Sequence, residues 1–185
     1  MSKGFEGFEC MYGQASAEWE NPNNNNGSPP TLQPFLFHVH AIDASHIRIH
    51  VTDFHSNTFE AVRSLPQLED LRDDIGVGGS WSEFVDYLIA SMKSVDVKLL
   101  LGSPIASSKL AGDNDTQFAK LIAQKSKGMP LISINLDKLT NIPANDAMSD
   151  LSLELFKAFT SKRDLVVKEQ ERCYHLTRSL SAEEV

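Results

Sequence analysis

From Ile47 to Thr52 apolar and polar side chains alternate without a break. Ile47, Ile49 and Val51 share one face, and Arg48, His50 and Thr52 share the other. A period of two is that of a strand with one face buried and one wet. The run PFLFHVH before it has the same period: Phe35, Phe37 and Val39 on one face, Leu36, His38 and His40 on the other. A polar turn at Asp43-Ala44-Ser45 joins the two, so they read as a hairpin with His38 opposite His50 and His40 opposite Arg48. Asn57 to Arg63 reads as a third strand.

The period then changes. Leu65, Leu68, Leu71 and Ile75 recur at three or four residues, which predicts a helix near 65–75 stopped by Gly76. A second helix, near 80–94, opens at Ser80-Trp81-Ser82-Glu83, where Ser80 and Glu83 stand at capping-box spacing. Its apolar stripe is Trp81, Phe84, Val85, Leu88, Ile89 and Met92. Strands resume at DVKLLLG and FAKLIAQ, and in MPLISINLD the positions Ile132, Ile134 and Leu136 alternate with Ser133, Asn135 and Asp137. The expected fold is α+β: a small antiparallel β-sandwich or barrel-like head over 34–142, with a helix pair inserted in the sheet. Its predicted core is Phe37, Val39, Ile47, Ile49, Val51, Trp81, Phe84, Leu88, Ile132, Ile134 and Leu136.

The two ends read differently. Residues 1–33 include NPNNNNGSPP, a polar low-complexity run that cannot bury enough apolar surface to offset ordering, so a disordered tail is expected. Within it Gly4-Phe5-Glu6 repeats as Gly7-Phe8-Glu9, which suits either a docking peptide or chance aromatics in a tail. From Pro143 to Val185 there is no Gly and no further Pro. Phe159, Val166, Cys173 and Leu180 stand seven apart, and Met148, Leu155 and Leu176 take the partner position of the heptad. These seven residues are the predicted seam of a homodimeric coiled-coil stalk over 143–185. Lys162 and Glu169 interrupt it, and a lone amphipathic helix docked on the head is the alternative.

Charge and chemistry narrow the function. A formal net charge of −8 argues against holding nucleic acid through a global field, and leaves only weak or indirect DNA contact along the mixed-sign stalk. Cys10 and Cys173 stand far apart and give no disulfide framework. No apolar run is long enough for a membrane helix, so no membrane partner is expected. Gly76-Val77-Gly78-Gly79 follows a helix rather than a strand and has no Lys after it, so it is a turn and not a phosphate loop. No nucleophile elbow, HExxH or paired-carboxylate pattern occurs, and no cofactor or catalytic residue is expected. One chemical alternative is a metal-dependent enzyme on the face of His38, His40 and His50, although Arg48 would set a positive charge in that patch.

The layout resembles the head-and-stalk scaffold superfamily of non-homologous DNA end joining, its PAXX-like members first and XLF beside them. The residues that carry the resemblance are IRIHVTDF, ending in Val51-Thr52-Asp53; the Leu68, Leu71 and Gly76 pattern; and ISINLDKLTNIPANDAMSDLSLELFKAF. It covers about residues 35 to 165. The resemblance implies a non-enzymatic homodimer in double-strand break repair, a nuclear location, and contacts with the Ku heterodimer and the ligase complex. It also implies a Ku-docking tail beyond the stalk, and no such tail is recognisable before Val185. A head-and-stalk assembly scaffold of the centriole-cartwheel type shares the layout and is the second expectation. Whether Ser103, in Ser103-Pro104, is phosphorylated is not read from the sequence.

Overall fold

The computed structural model describes residues 4–20, 32–102 and 118–183; the Asn-rich run, Ser103-Pro104 and the loop SSKLAGDND lie outside them. The chain forms two compact units, Met1–Met148 and Ser149–Val185.

The first unit is a closed seven-stranded barrel with an inserted helix pair. In chain order it carries β1 (Met11–Trp19), β2 (Phe35–Asp43), β3 (His46–Thr52), β4 (Thr58–Ser64), α1 (Leu65–Asp74), α2 (Trp81–Met92), β5 (Lys98–Gly102), β6 (Phe118–Ala123) and β7 (Ile132–Leu139). Around the barrel the order is β1-β2-β3-β4-β7-β6-β5, and β5 closes onto β1. Neighbours are antiparallel except β1 and β5, which pair in parallel through Ser16–Lys98 to Trp19–Leu101. Closure removes the unpaired edges that an open sheet would expose.

Of the tail expected to be disordered over 1–33, Met11–Trp19 instead forms β1, and residues 21–31 lie outside the described residues. The inward positions of β1 are small, so the apolar alternation is faint in sequence, yet Met11 and Ala15 are buried. Gly13 lies opposite Phe37, and a Cβ there would stand 2.2 Å from the Phe37 ring. The missing side chain makes room for a core aromatic. Phe5, upstream of β1, is 4% exposed, and its amide donates to Ala44 O at 2.9 Å.

The β2–β3 hairpin has the register that the alternation predicts: His38 faces His50 and His40 faces Arg48. Its turn is tied by Asp43, whose Oδ1 accepts from the Ser45 amide at 2.6 Å and the Ser45 hydroxyl at 2.8 Å. Those bonds, with His46 beside it, hold the Asp43 carboxyl down at about 2. The next turn is tied by Asp53, which accepts from the amides of His55 and Asn57 and from the Asn57 side chain.

The barrel core contains Phe37, Val39, Ile47, Ile49, Val51, Ile132, Ile134 and Leu136, with Phe84 and Leu88 of α2, all buried. Trp81 departs from the expected core list. It is half-buried and packs on the core from outside, as the first residue of its helix. Both inserted helices carry full capping boxes, Ser64 with Gln67 and Ser80 with Glu83. In the second, the Ser80 amide donates to Glu83 Oε2 at 2.6 Å. That bond, then the Ser80 hydroxyl, holds the Glu83 carboxyl below the usual glutamate range.

The last element is α3, Asn141–Glu183, 43 residues and so about 65 Å long. Asn141, at its start, takes a left-handed φ of 57°, which Asn tolerates better than most residues. No helix among the described residues is long and apolar enough to cross a membrane.

Candidate interaction surfaces

Four places stand out: the histidine face and the stalk seam, which the sequence singled out, and a cleft and a turn that it did not reveal.

On the histidine face the rings stack. Tyr12 lies parallel to His38 at 4.6 Å between centroids, and His38 lies over His40 at 4.5 Å. His50 Nε2 is 2.9 Å from Glu60 Oε1, and Arg48 Nε is 3.1 Å from the same oxygen. Stacking puts ring faces, not nitrogen lone pairs, toward one another, and one carboxylate oxygen is shared with a guanidinium. Among the described residues no group of three His, Cys, Asp or Glu side chains is arranged to hold a metal. The metal-dependent alternative at His38, His40 and His50 therefore finds no site geometry, although the register behind it is the one observed.

In the stalk unit the seam positions Phe159, Val166, Cys173, Leu176 and Leu180 are exposed on the single chain and Leu155 is partly covered; Met148, the last residue of the first unit, is partly covered too. Leu165, Val166, Glu169, Gln170 and Cys173 outline a shallow hollow of about 440 Å³. Spacings of three, four and seven on one helix are those of a coiled-coil hole that receives a partner's side chain.

The cleft lies between residues Gly4–Glu9 and α2, with a volume of about 690 Å³. Phe5 fixes its wall by edge-on contacts with Phe8 and Trp81, each at 5.7 Å. Met11, Val85 and Ile89 add apolar lining, and Glu6, Glu9, Asp86 and Lys93 form its charged rim. The Gly-Phe-Glu repeat is thus docked on its own head. Gly7, at φ +78°, reverses the chain so that the Phe8 amide donates back to Phe5 O at 3.0 Å.

On the far side of α2 stands the β6–β7 turn. Tyr87, which leaves the helix about 150° or more from Val85 and Ile89 at 100° per residue, donates its hydroxyl to Pro130 O at 2.6 Å. Gln124 also bonds Met129 O, and the Met129 amide donates to Ser126 O. The turn so pinned exposes Met129 (41%) and Leu131 (52%) next to the exposed Lys125 and Lys127. The signal in sequence is Met129 and Leu131 just after Lys125, Lys127 and Gly128, ahead of the alternation that starts at Ile132.

No protein-family model and no curated protein matches this chain. Solved structures do. The N-terminal coiled-coil dimer of C. elegans SAS-6 matches at 13% identity and a TM-score of 0.52, over 83% of this chain and 92% of that one. An N-terminal fragment of Leishmania SAS-6 with parts of its coiled coil matches at 13% identity and a TM-score of 0.50, over 90% and 97%. At such identities the likeness is one of fold. It supports the head-plus-stalk architecture, and none of it speaks for end joining, Ku, the ligase complex or DNA repair. The chain has the barrel head and long C-terminal helix of a SAS-6-like head with coiled coil.

Proposed function

We propose that this chain is a non-enzymatic assembly scaffold, in which stalks pair chains and heads join pair to pair. Of the two scaffold expectations, the cartwheel type is the better supported, because the matching folds are SAS-6 heads with coiled coils. The observation that carries the reading is that one head exposes two complementary surfaces on opposite sides of α2. One is a largely apolar cleft whose rim holds three acids, Glu6, Glu9 and Asp86, and one base, Lys93. The other is a pinned turn that exposes Met129 and Leu131 beside Lys125 and Lys127. A surface that fits a different surface of the next copy is heterologous, and such contacts generate rings or filaments rather than closed pairs. The stalk seam supplies the second, independent link.

Light scattering across a concentration series tests this. The chain should grow beyond a dimer as concentration rises. The double variant Met129→Glu, Leu131→Glu sets carboxylates against the acidic rim and should stop at the stalk-paired species. A wild-type chain that never exceeds a dimer, or a variant that grows equally well, would remove the head-to-head reading.

A further inference from the structure

The stalk seam carries two charged levels that a copy of itself cannot satisfy. In heptad register Lys162 and Glu169 occupy the same core-facing position as Leu155 and Leu176. A parallel, in-register copy would place Lys162 against Lys162 and Glu169 against Glu169. Glu169 has partial relief on its own helix, where Arg172 Nη1 stands 3.8 Å from Oε1. Among the described residues Lys162 has no carboxylate at ion-pair distance; the acids of this stretch pair elsewhere, Glu154 with Lys157 and Asp164 with Arg163. The hollow formed by Leu165, Val166, Glu169, Gln170 and Cys173 is mostly apolar, and Glu169 is the one charged side chain that lines it. A cationic side chain with an alkyl stem fits such a hollow, because its stem covers the walls while its head meets Glu169.

We propose that the middle of the stalk is a selective docking surface for a parallel helix of a different chain, with a carboxylate opposite Lys162 and a cation opposite Glu169. The inference rests on the seam reading above. Phe159, Val166 and Cys173 accept any helix with apolar residues at those levels. The two charged levels choose among such helices, since a wrong partner leaves like charges facing each other. Self-pairing through the apolar flanks is then the weaker state, which a complementary helix displaces.

The probe is the same chain carrying Lys162→Glu and Glu169→Lys, mixed with wild type. In the mixture each charged level meets its opposite. Sedimentation of differently labelled chains should show the mixed pair at least tenfold tighter than either chain with itself. Oxidation should cross-link the mixed pair through Cys173, because a parallel register brings those residues together; Cys10→Ser in both chains removes the only other thiol. Statistical mixing overturns the proposal. So does tight wild-type self-pairing without Cys173 cross-linking, which would assign the surface to an antiparallel second copy. Adding Leu155→Asp and Val166→Asp to both chains separates the two levels of failure. If pairing persists unchanged with those substitutions, the seam itself is wrong, not merely its selectivity.

Discussion

Two glycines of the barrel each lie against a phenylalanine on the neighbouring strand, and they should tolerate change very differently. A Cβ at Gly13 would stand 2.2 Å from Phe37, and one at Gly102 would stand 2.0 Å from Phe118. Distance alone ranks Gly102 as the tighter site. Freedom of the ring reverses that order. Phe37 is 1% exposed and enclosed by the core, whereas Phe118 is 44% exposed and can swing into solvent. Gly13→Ala should therefore cost about 1–3 kcal/mol, the range for overpacking a well-filled core. Gly102→Ala should cost clearly less. Urea unfolding of the two variants decides it, and a larger midpoint loss for Gly102→Ala would mean that ring exposure does not govern the cost. The same comparison explains why β1 was hidden in the sequence. Strand patterns are recognised by large apolar residues at every second position, and here Gly13 and Ala15 stand opposite Phe37 and Phe35 and Ala17 opposite Leu99.

At the level of elements, the two inserted helices use the same cap with different chemistry. The helix from Leu65 closes its box with neutral Gln67, and the helix from Trp81 closes its box with Glu83. Only the second can respond to pH. The Glu83 carboxyl lies below its ordinary value of 4.5 because the Ser80 amide and hydroxyl bond its charged form. A depressed folded value means that this stabilisation is complete above about 4.5 and is lost as pH falls through the folded value. Wild type should thus exceed Glu83→Gln in stability at pH 7, and the gap should close as pH falls toward 3. A gap that stays constant with pH would rule out the carboxylate as the working cap. This box was legible from Ser80 and Glu83 alone, since capping is local. So was the β2–β3 register, because alternation and a short turn fix it. The parallel closure of β1 onto β5 was not, because Ser16 and Lys98 are joined by no local signal. The cleft was not either, as it brings residues 4–9 onto a helix that starts at Trp81.

For the whole molecule, charge acts on assembly in two opposing ways. A net charge of −8 makes copies repel at long range. In the proposed head-to-head contact, the lysines at the β6–β7 turn would meet the acids at the cleft rim and attract them at short range. Salt separates the two, because screening removes the long-range part first. At about 0.01 M ionic strength the screening length is roughly 30 Å, comparable to a small domain, and the full repulsion is felt. Near 0.15 M it is about 8 Å, so the diffuse repulsion is damped while charges in contact still attract. At 1 M it is roughly 3 Å and the contacts weaken too. Head-to-head growth should therefore be greatest at intermediate salt and should fall on both sides. The stalk pairing through Phe159, Val166 and Leu180 is apolar at its flanks and should persist at 1 M salt, where strong screening leaves hydrophobic burial intact. Light scattering from 0.01 M to 1 M salt reads both. Growth that rises steadily with salt would mean that Met129 and Leu131 act without the lysines. Growth that falls steadily would mean that the net charge is too diffuse to matter, and that the rim pairs alone set the affinity.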